Sequence, residues 1–128
     1  MTRPLDAPPD RLGDEGSGTV NSLGLIALAI TLSLLLAGVG AARTAAVRLQ
    51  AVADLAALAG AEHSATSPWE DVGAAPCDAA ASVAAANRVG VESCEVLDSD
   101  CRVVVSEFVR IMGVSVEIRA KARAGQEQ

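Results

Sequence analysis

No charged side chain occurs between Glu15 and Arg43, and that gap constrains this chain more than any other feature. Its core, Leu23 to Ala42, is an apolar run interrupted only by Thr31 and Ser33. As a helix rising about 1.5 Å per residue it would span roughly 30 Å, the thickness of a bilayer's hydrocarbon. Thr31 and Ser33 can return their hydroxyls to carbonyls one turn back, so neither forbids insertion. A helix that is apolar all round lies either in the core of a large protein or in lipid. A chain of 128 residues cannot build enough core to bury this one, so a membrane is the expected solvent.

Hydrophobic residues make up 51% of the chain. They are concentrated in the span and in an alanine-rich continuation, which leaves roughly 65 residues for a folded domain, a size only marginally stable by burial alone. Trp69 and Phe108 are the only aromatic residues, so the stacking platforms of single-strand nucleic-acid binders are missing. A net charge of −6 also disfavours a phosphate backbone as partner. Nucleic acid is therefore excluded. The three cysteines, Cys77, Cys94 and Cys101, all follow the span, with His63 the single histidine and no CxxC pair. A zinc site is not expected. Cysteines confined to one side of a membrane point to an oxidising compartment there. Arginines do not settle the orientation, since Arg3 and Arg11 precede the span and Arg43 and Arg48 follow it.

Residues 1 to 15 read as a short disordered cytoplasmic tail, with Pro4, Pro8 and Pro9 excluding a helix. The span is longer than a secretory h-region and its preceding tail is acidic. A signal-peptide cut near Gly40-Ala41-Ala42 stands as the alternative, releasing an exported small binding domain. Between Arg43 and Ala61 there is no proline and alanine dominates, so helix is expected to continue to about Glu62; a separate juxtamembrane helix is the alternative. Val47, Leu49, Val52, Leu55 and Leu58 spread around the cylinder, which suggests packing on several sides. Residues 63 to 75 read as a loop, and Cys77 to Arg88 as a second alanine-rich helix ended near Gly90. Val91 to Leu97, Cys101 to Val109 and Val114 to Ala122 alternate as strands, with Asp98-Ser99-Asp100 as a turn. The expected fold class is thus a membrane-anchored α+β protein: residues 16 to 62 a long helix, 63 to 128 a small extracytoplasmic domain with a helix on an antiparallel sheet.

Gly16-Ser-Gly-Thr-Val-Asn21, the apolar run, and Leu49-Gln-Ala-Val-Ala-Asp-Leu-Ala-Ala-Leu-Ala-Gly-Ala61 resemble the TadE/TadG-like proteins of tight-adherence (Flp) pilus systems. Downstream, Cys77-Asp-Ala-Ala-Ala-Ser-Val-Ala-Ala-Ala-Asn87 and Ser93-Cys94-Glu-Val resemble the short actinobacterial branch of that family. The resemblance, over about residues 15 to 124, implies a minor pilin or pseudopilin-like membrane component with a cytoplasmic N-terminus. Its partners would be lipid and other pilin-like or secretion-machine subunits. In such proteins a cut after glycine places Glu at the fifth mature position, where its carboxylate pairs with a neighbour's N-terminal amine. A cut between Gly16 and Ser17 places Asn21 there. Asn21 can hydrogen-bond but cannot neutralise an ammonium, which leaves a non-cleaved anchor as the other outcome.

Catalytic, cofactor and small-molecule readings find no support. Gly13-Asp-Glu-Gly-Ser-Gly18 lacks the spacing and the Lys-Ser/Thr of a phosphate cradle. Asp98-Ser99-Asp100 is followed by Arg102 where a calcium loop needs a ligand, and His63 has no second histidine or nucleophile elbow beside it. Small-residue ladders, Ala37/Ala41/Ala45 and Gly38/Ala42/Ala46, would let helix backbones approach closely where the helix leaves the lipid, or else form a plain alanine spacer. Of the three possible bridges, Cys77–Cys94 is expected. A tight hairpin at 98–100 sets Val96 or Leu97 opposite Cys101, never Cys94, whereas Cys77 opens the helix that must cover the sheet. Cys101 is then the leftover thiol, either packed in its strand or open to an intermolecular bridge.

Overall fold

The computed structural model describes residue 2, residues 16–65 and residues 73–125. The expected tail, Thr2 apart, and the segment holding Trp69, Glu70 and Asp71 lie outside the described residues. Two helices precede three strands: α1 Ser17–Ala65, α2 Ala75–Ala86, β1 Gly90–Leu97, β2 Asp100–Ile111 and β3 Val114–Ala124. The chain divides into two units, Met1–Ala37 and Gly38–Gln128.

In the first unit α1 is a helix whose aliphatic side chains, Leu23 through Leu36, are all exposed. By length and composition it is apolar enough to cross a membrane. Its hydroxyls fold back one turn: Ser22 onto Gly18 O, Thr31 onto Ala27 O and Ser33 onto Ala29 O, each at 2.8 Å. Each side-chain donor is thereby satisfied within the helix, as an apolar solvent requires. No break separates span and continuation, since α1 is assigned without interruption to Ala65. It runs three residues past the expected end at Glu62, and His63 belongs to its last turn rather than to a loop.

In the second unit the sheet has order β1-β2-β3 with both pairs antiparallel. The two hairpins close through two-residue turns. Leu97 pairs with Asp100 around Asp98-Ser99, and Ile111 pairs with Val114 around Met112-Gly113. Positive φ at Asp98 (55°), Met112 (51°) and Gly113 (85°) supplies the twist such turns need. The second turn carries β2 on to Ile111, past the expected Val109, and at the other end of the sheet β3 continues beyond Ala122 to Ala124, opposite Cys101. A bulge between Val91 and Ser93 shifts the register of β1.

Helix α2 starts at Ala75, ahead of Cys77, with Pro76 in the first turn, where its missing N–H costs nothing. It ends before Gly90 is reached. Val89 N–H bonds Ala84 O at 3.0 Å and Arg88 N–H bonds Ala85 O at 3.0 Å, the pattern of a Schellman end. Arg88 takes the left-handed position (φ 61°) that glycine usually fills. Gly90 instead begins β1.

The core forms where one face of the sheet meets both helices. Cys101, Val103, Val105, Ala120 and Ala122 are buried on that face, Ala80 and Ala84 come from α2, and α1 contributes Leu49, Val52, Ala53, Ala56, Ala57 and Ala61. With Gly60 and Ser64, the buried α1 residues recur at spacings of three and four, a single stripe. Val47, Leu55 and Leu58 stay exposed, so the second half of α1 packs on one side, not on several. The even spread of large aliphatics hid the stripe because the inward positions are mostly alanine and glycine.

Gly60 marks the closest approach. A Cβ there would collide with Cys101 Sγ and stand 3.0 Å from the Pro76 carbonyl oxygen. Gly60→Ala should therefore destabilise the detergent-solubilised full chain by about 1–3 kcal/mol, the usual cost of overpacking. Adding Cys101→Ala should recover part of that loss, since Sγ is the first atom met. Chemical denaturation of the two single variants and the double variant measures the coupling; strictly additive losses would place the clash elsewhere.

Candidate functional site

Helix α1 between Gly38 and Ala61 is the surface on which the rest of the second unit is assembled, and three contacts fix how β2 lies along it. Cys101 packs at Gly60, Glu107 pairs with Arg48 at 3.1 Å, and Met112 Sδ would lie 3.2 Å from a Cβ at Gly38. Twelve helix residues from Gly60 to Arg48 rise about 18 Å, against roughly 20 Å for the six strand residues from Cys101 to Glu107. From Arg48 to Gly38 the helix rises about 15 Å, against roughly 17 Å from Glu107 to Met112. The strand therefore runs antiparallel beside the helix over this whole length, and its far turn reaches Gly38.

Arg48 holds three elements together. Its Nη1 donates to Glu107 Oε1, and its Nη2 donates at 3.0 Å to the Asn87 carbonyl at the end of α2. That carbonyl is one of the helix-terminal acceptors without an intrahelical partner. Gln50 Nε2 donates both to Asp54 Oδ1 (2.9 Å) and to the Lys121 carbonyl of β3 (3.0 Å). The sequence alone assigned no role to Arg48, Gln50 or Glu107. The only signal was Arg48 and Gln50 flanking Leu49 in an otherwise alanine-rich stretch. On the far side of α2, Cys77 and Cys94 form a disulfide with Cα atoms 5.8 Å apart. It clamps the first turn of α2 to β1.

Gly16, Ser17 and Asn21 stand at and just inside the start of α1, all exposed. The two small-residue ladders do not stay intact as faces. Gly38, Ala42 and Ala45 are half-buried, on the side of the hairpin, while Ala37, Ala41 and Ala46 are exposed. Among the described residues no group of three His, Cys, Asp or Glu side chains could hold a metal ion. Asp98 and Ser99 form the turn, and Asp100 is an ion-pair partner of Arg123.

Residues 16–63 match the family model Tad, described as "Putative Flp pilus-assembly TadE/G-like". The match takes in nearly all of α1 and ends before α2 and the sheet. It links the α1 segment to a family associated with Flp pilus assembly. The Cys77 and Cys94 layers, which carried the resemblance to the actinobacterial branch, fall outside it. No curated protein and no solved structure matches the chain.

The remaining thiol, Cys101, is free and fully buried, packed against Gly60 rather than open to another chain. Burial pushes its pKa up, because the thiolate would lose its hydration. The folded state thus favours the neutral thiol. That contribution is complete below the unfolded thiol's pKa of about 8.5 and is lost as pH rises through the higher folded value. Native protein should resist maleimide at neutral pH, and its denaturation midpoint should fall above about pH 8.5 more steeply than that of Cys101→Ala. Parallel pH curves for the two proteins would show that the thiol does not ionise on unfolding.

Proposed function

We propose that this chain is a pilin-like structural subunit of a Tad-type pilus or secretion machine, anchored by α1. Residues 1–15 would face the cytoplasm, 16–62 would cross the membrane and continue outside, and 63–128 would form the extracytoplasmic head. The observation that carries this is the union of two roles in one helix. The segment matching the Tad model contains both the apolar span and the stripe on which the head packs. The Cys77–Cys94 bridge supports an oxidising location for the head. Neighbouring subunits would meet α1 on the side away from its own sheet, where Ala37, Ala41 and Ala46 are exposed in the ladder region. Val47, Leu55 and Leu58 leave an apolar surface further out. Gly38 and Ala42 would serve the chain's own hairpin instead. The role involves no substrate and no cofactor.

Release of the head by a cut near Ala42 is less well supported. It would strip Gly38 and Ala42 from the side on which Met112 packs. Mass spectrometry of the membrane-purified N-terminus separates the routes. A start at Ser17 supports pilin-type processing with Asn21 in fifth place, and an intact start supports a permanent anchor. A start near Arg43 would refute the anchored reading.

Orientation is checked separately. A reporter active only outside the cytoplasm, fused after Gln128, should work. Activity from a cytoplasm-specific reporter alone at that site would reverse the proposed topology.

A further inference from the structure

We infer that the β2–β3 hairpin tip, residues Ile111 to Val114, dips into the same lipid leaflet that α1 traverses and forms a second, shallow membrane contact. The inference rests on the anchored reading of α1 and adds to it a lipid-binding surface on the head itself. Met112 (64%) and Val114 (63%) are large, apolar and exposed at the turn, with Val116 (42%) next along β3 on one face of the sheet and Phe108 (74%) on the other. Apolar side chains exposed on both faces of one hairpin end call for an apolar surrounding. Its height names the partner. Met112 packs beside Gly38, which lies inside the uncharged run and four residues before its end at Ala42, about 6 Å along the helix axis. Wherever Gly38 is surrounded by acyl chains, Met112 is as well.

Charge placement agrees. From Gly38 to Arg43 the helix rises about 7.5 Å, and from Met112 back to Arg110 the strand rises about 7 Å. Arg43 and Arg110 therefore stand at nearly the same level, where lipid phosphates would meet them, and long arginine stems can reach up to that layer. Phe108 lies a further two residues out, at headgroup depth, where aromatic rings are favoured. Backbone chemistry limits the depth. Pairing between β1 and β2 stops at Gly90 and Ser106, so beyond Ser106 the hairpin has two open edges whose amide groups need water or headgroups. Only the turn can pass below the phosphates, consistent with burial of about 5–10 Å for an interfacial element.

The opposite hairpin supplies an internal contrast. Leu97 is also apolar and exposed (57%) beside a tight turn. It lies near the Cys101 end of β2, some 33 Å of helix away from Gly38.

The test uses the full chain in phosphatidylcholine–phosphatidylglycerol vesicles whose lipids carry a nitroxide quencher near either the head or the tail of the acyl chain. In a Trp69→Phe background, single probes are placed by Met112→Trp, Val114→Trp, Leu32→Trp and Leu97→Trp. Expected is quenching of Leu32→Trp mainly by the deep nitroxide. Met112→Trp and Val114→Trp should show blue-shifted emission, loss of intensity mainly with the shallow nitroxide, and protection from aqueous acrylamide. Leu97→Trp should keep a water-exposed spectrum. If Leu32→Trp is quenched while both tip probes behave like Leu97→Trp, the tip does not enter lipid and the inference fails alone. An unquenched Leu32→Trp would sink the anchored reading together with it. Tip probes shielded from acrylamide but insensitive to nitroxide would mean that a second copy covers the hairpin, which also overturns it. Two tip variants guard against a local folding failure at either one, and an intact Cys77–Cys94 bridge on non-reducing mapping confirms the head in each.

Discussion

The close approach of β2 to α1 is the constraint from which the rest of the second unit follows. At Gly60 there is no room even for a methyl group beside Cys101, and the neighbouring inward positions, Ala53, Ala56 and Ala57, have no accessible surface at all. Small side chains bury little area each, so the helix gains less from transfer out of water than a leucine-lined one would. What they give instead is proximity. A backbone this near lets Arg48 reach both Glu107 and the Asn87 carbonyl, and lets Gln50 reach the Lys121 carbonyl. Exposed ion pairs contribute at most about 1 kcal/mol, but directional bonds of this kind fix register, which alanine packing alone leaves loosely defined.

A core this thin explains the weight carried by the disulfide. Its large side chains amount to little more than Leu49, Val52, Val89, Val103 and Val105. A bridge closing a loop of 17 residues is worth about 3 kcal/mol in the chain-entropy account, against a total stability of about 5–15 kcal/mol for a domain. It joins the first turn of α2, which meets α1 only at the tight Pro76–Gly60 approach, to β1. Register explains why Cys101 has no part in it. Cys101 faces Val96 across the first hairpin, and Cys94 faces Val103.

The order of elements was legible because each carries a strong local signal: an uncharged run, alanine without proline, and valines at period two. The fold class and the single uninterrupted helix follow from those signals alone. What the sequence hid is the stripe on α1. Periodicity is read through large hydrophobic residues, and here Val47, Leu55 and Leu58 face away from the sheet while alanines face it. The end of α2 was drawn at Arg88, two residues late, because Gly90 was read as the left-handed terminator, a role taken by Arg88. The end of β2 was drawn short at Val109 because Met112, a poor residue for positive φ, gave no turn signal before Gly113.

The same small residues also bear on how α1 can meet other helices. Gly38, Ala42 and Ala45 look, in sequence, like part of a ladder for helix association, yet Gly38 packs against the chain's own Met112. A side chain cannot serve both contacts. The span below Ala37 has no such restriction, and every large aliphatic on it is exposed. Above it, only the side bearing Ala41, Ala46, Val47, Leu55 and Leu58 remains open. Beyond Gly38 the sheet therefore occupies one side of α1 and leaves the other accessible, so the second half of the helix has two chemically different sides although its sequence is nearly uniform in alanine.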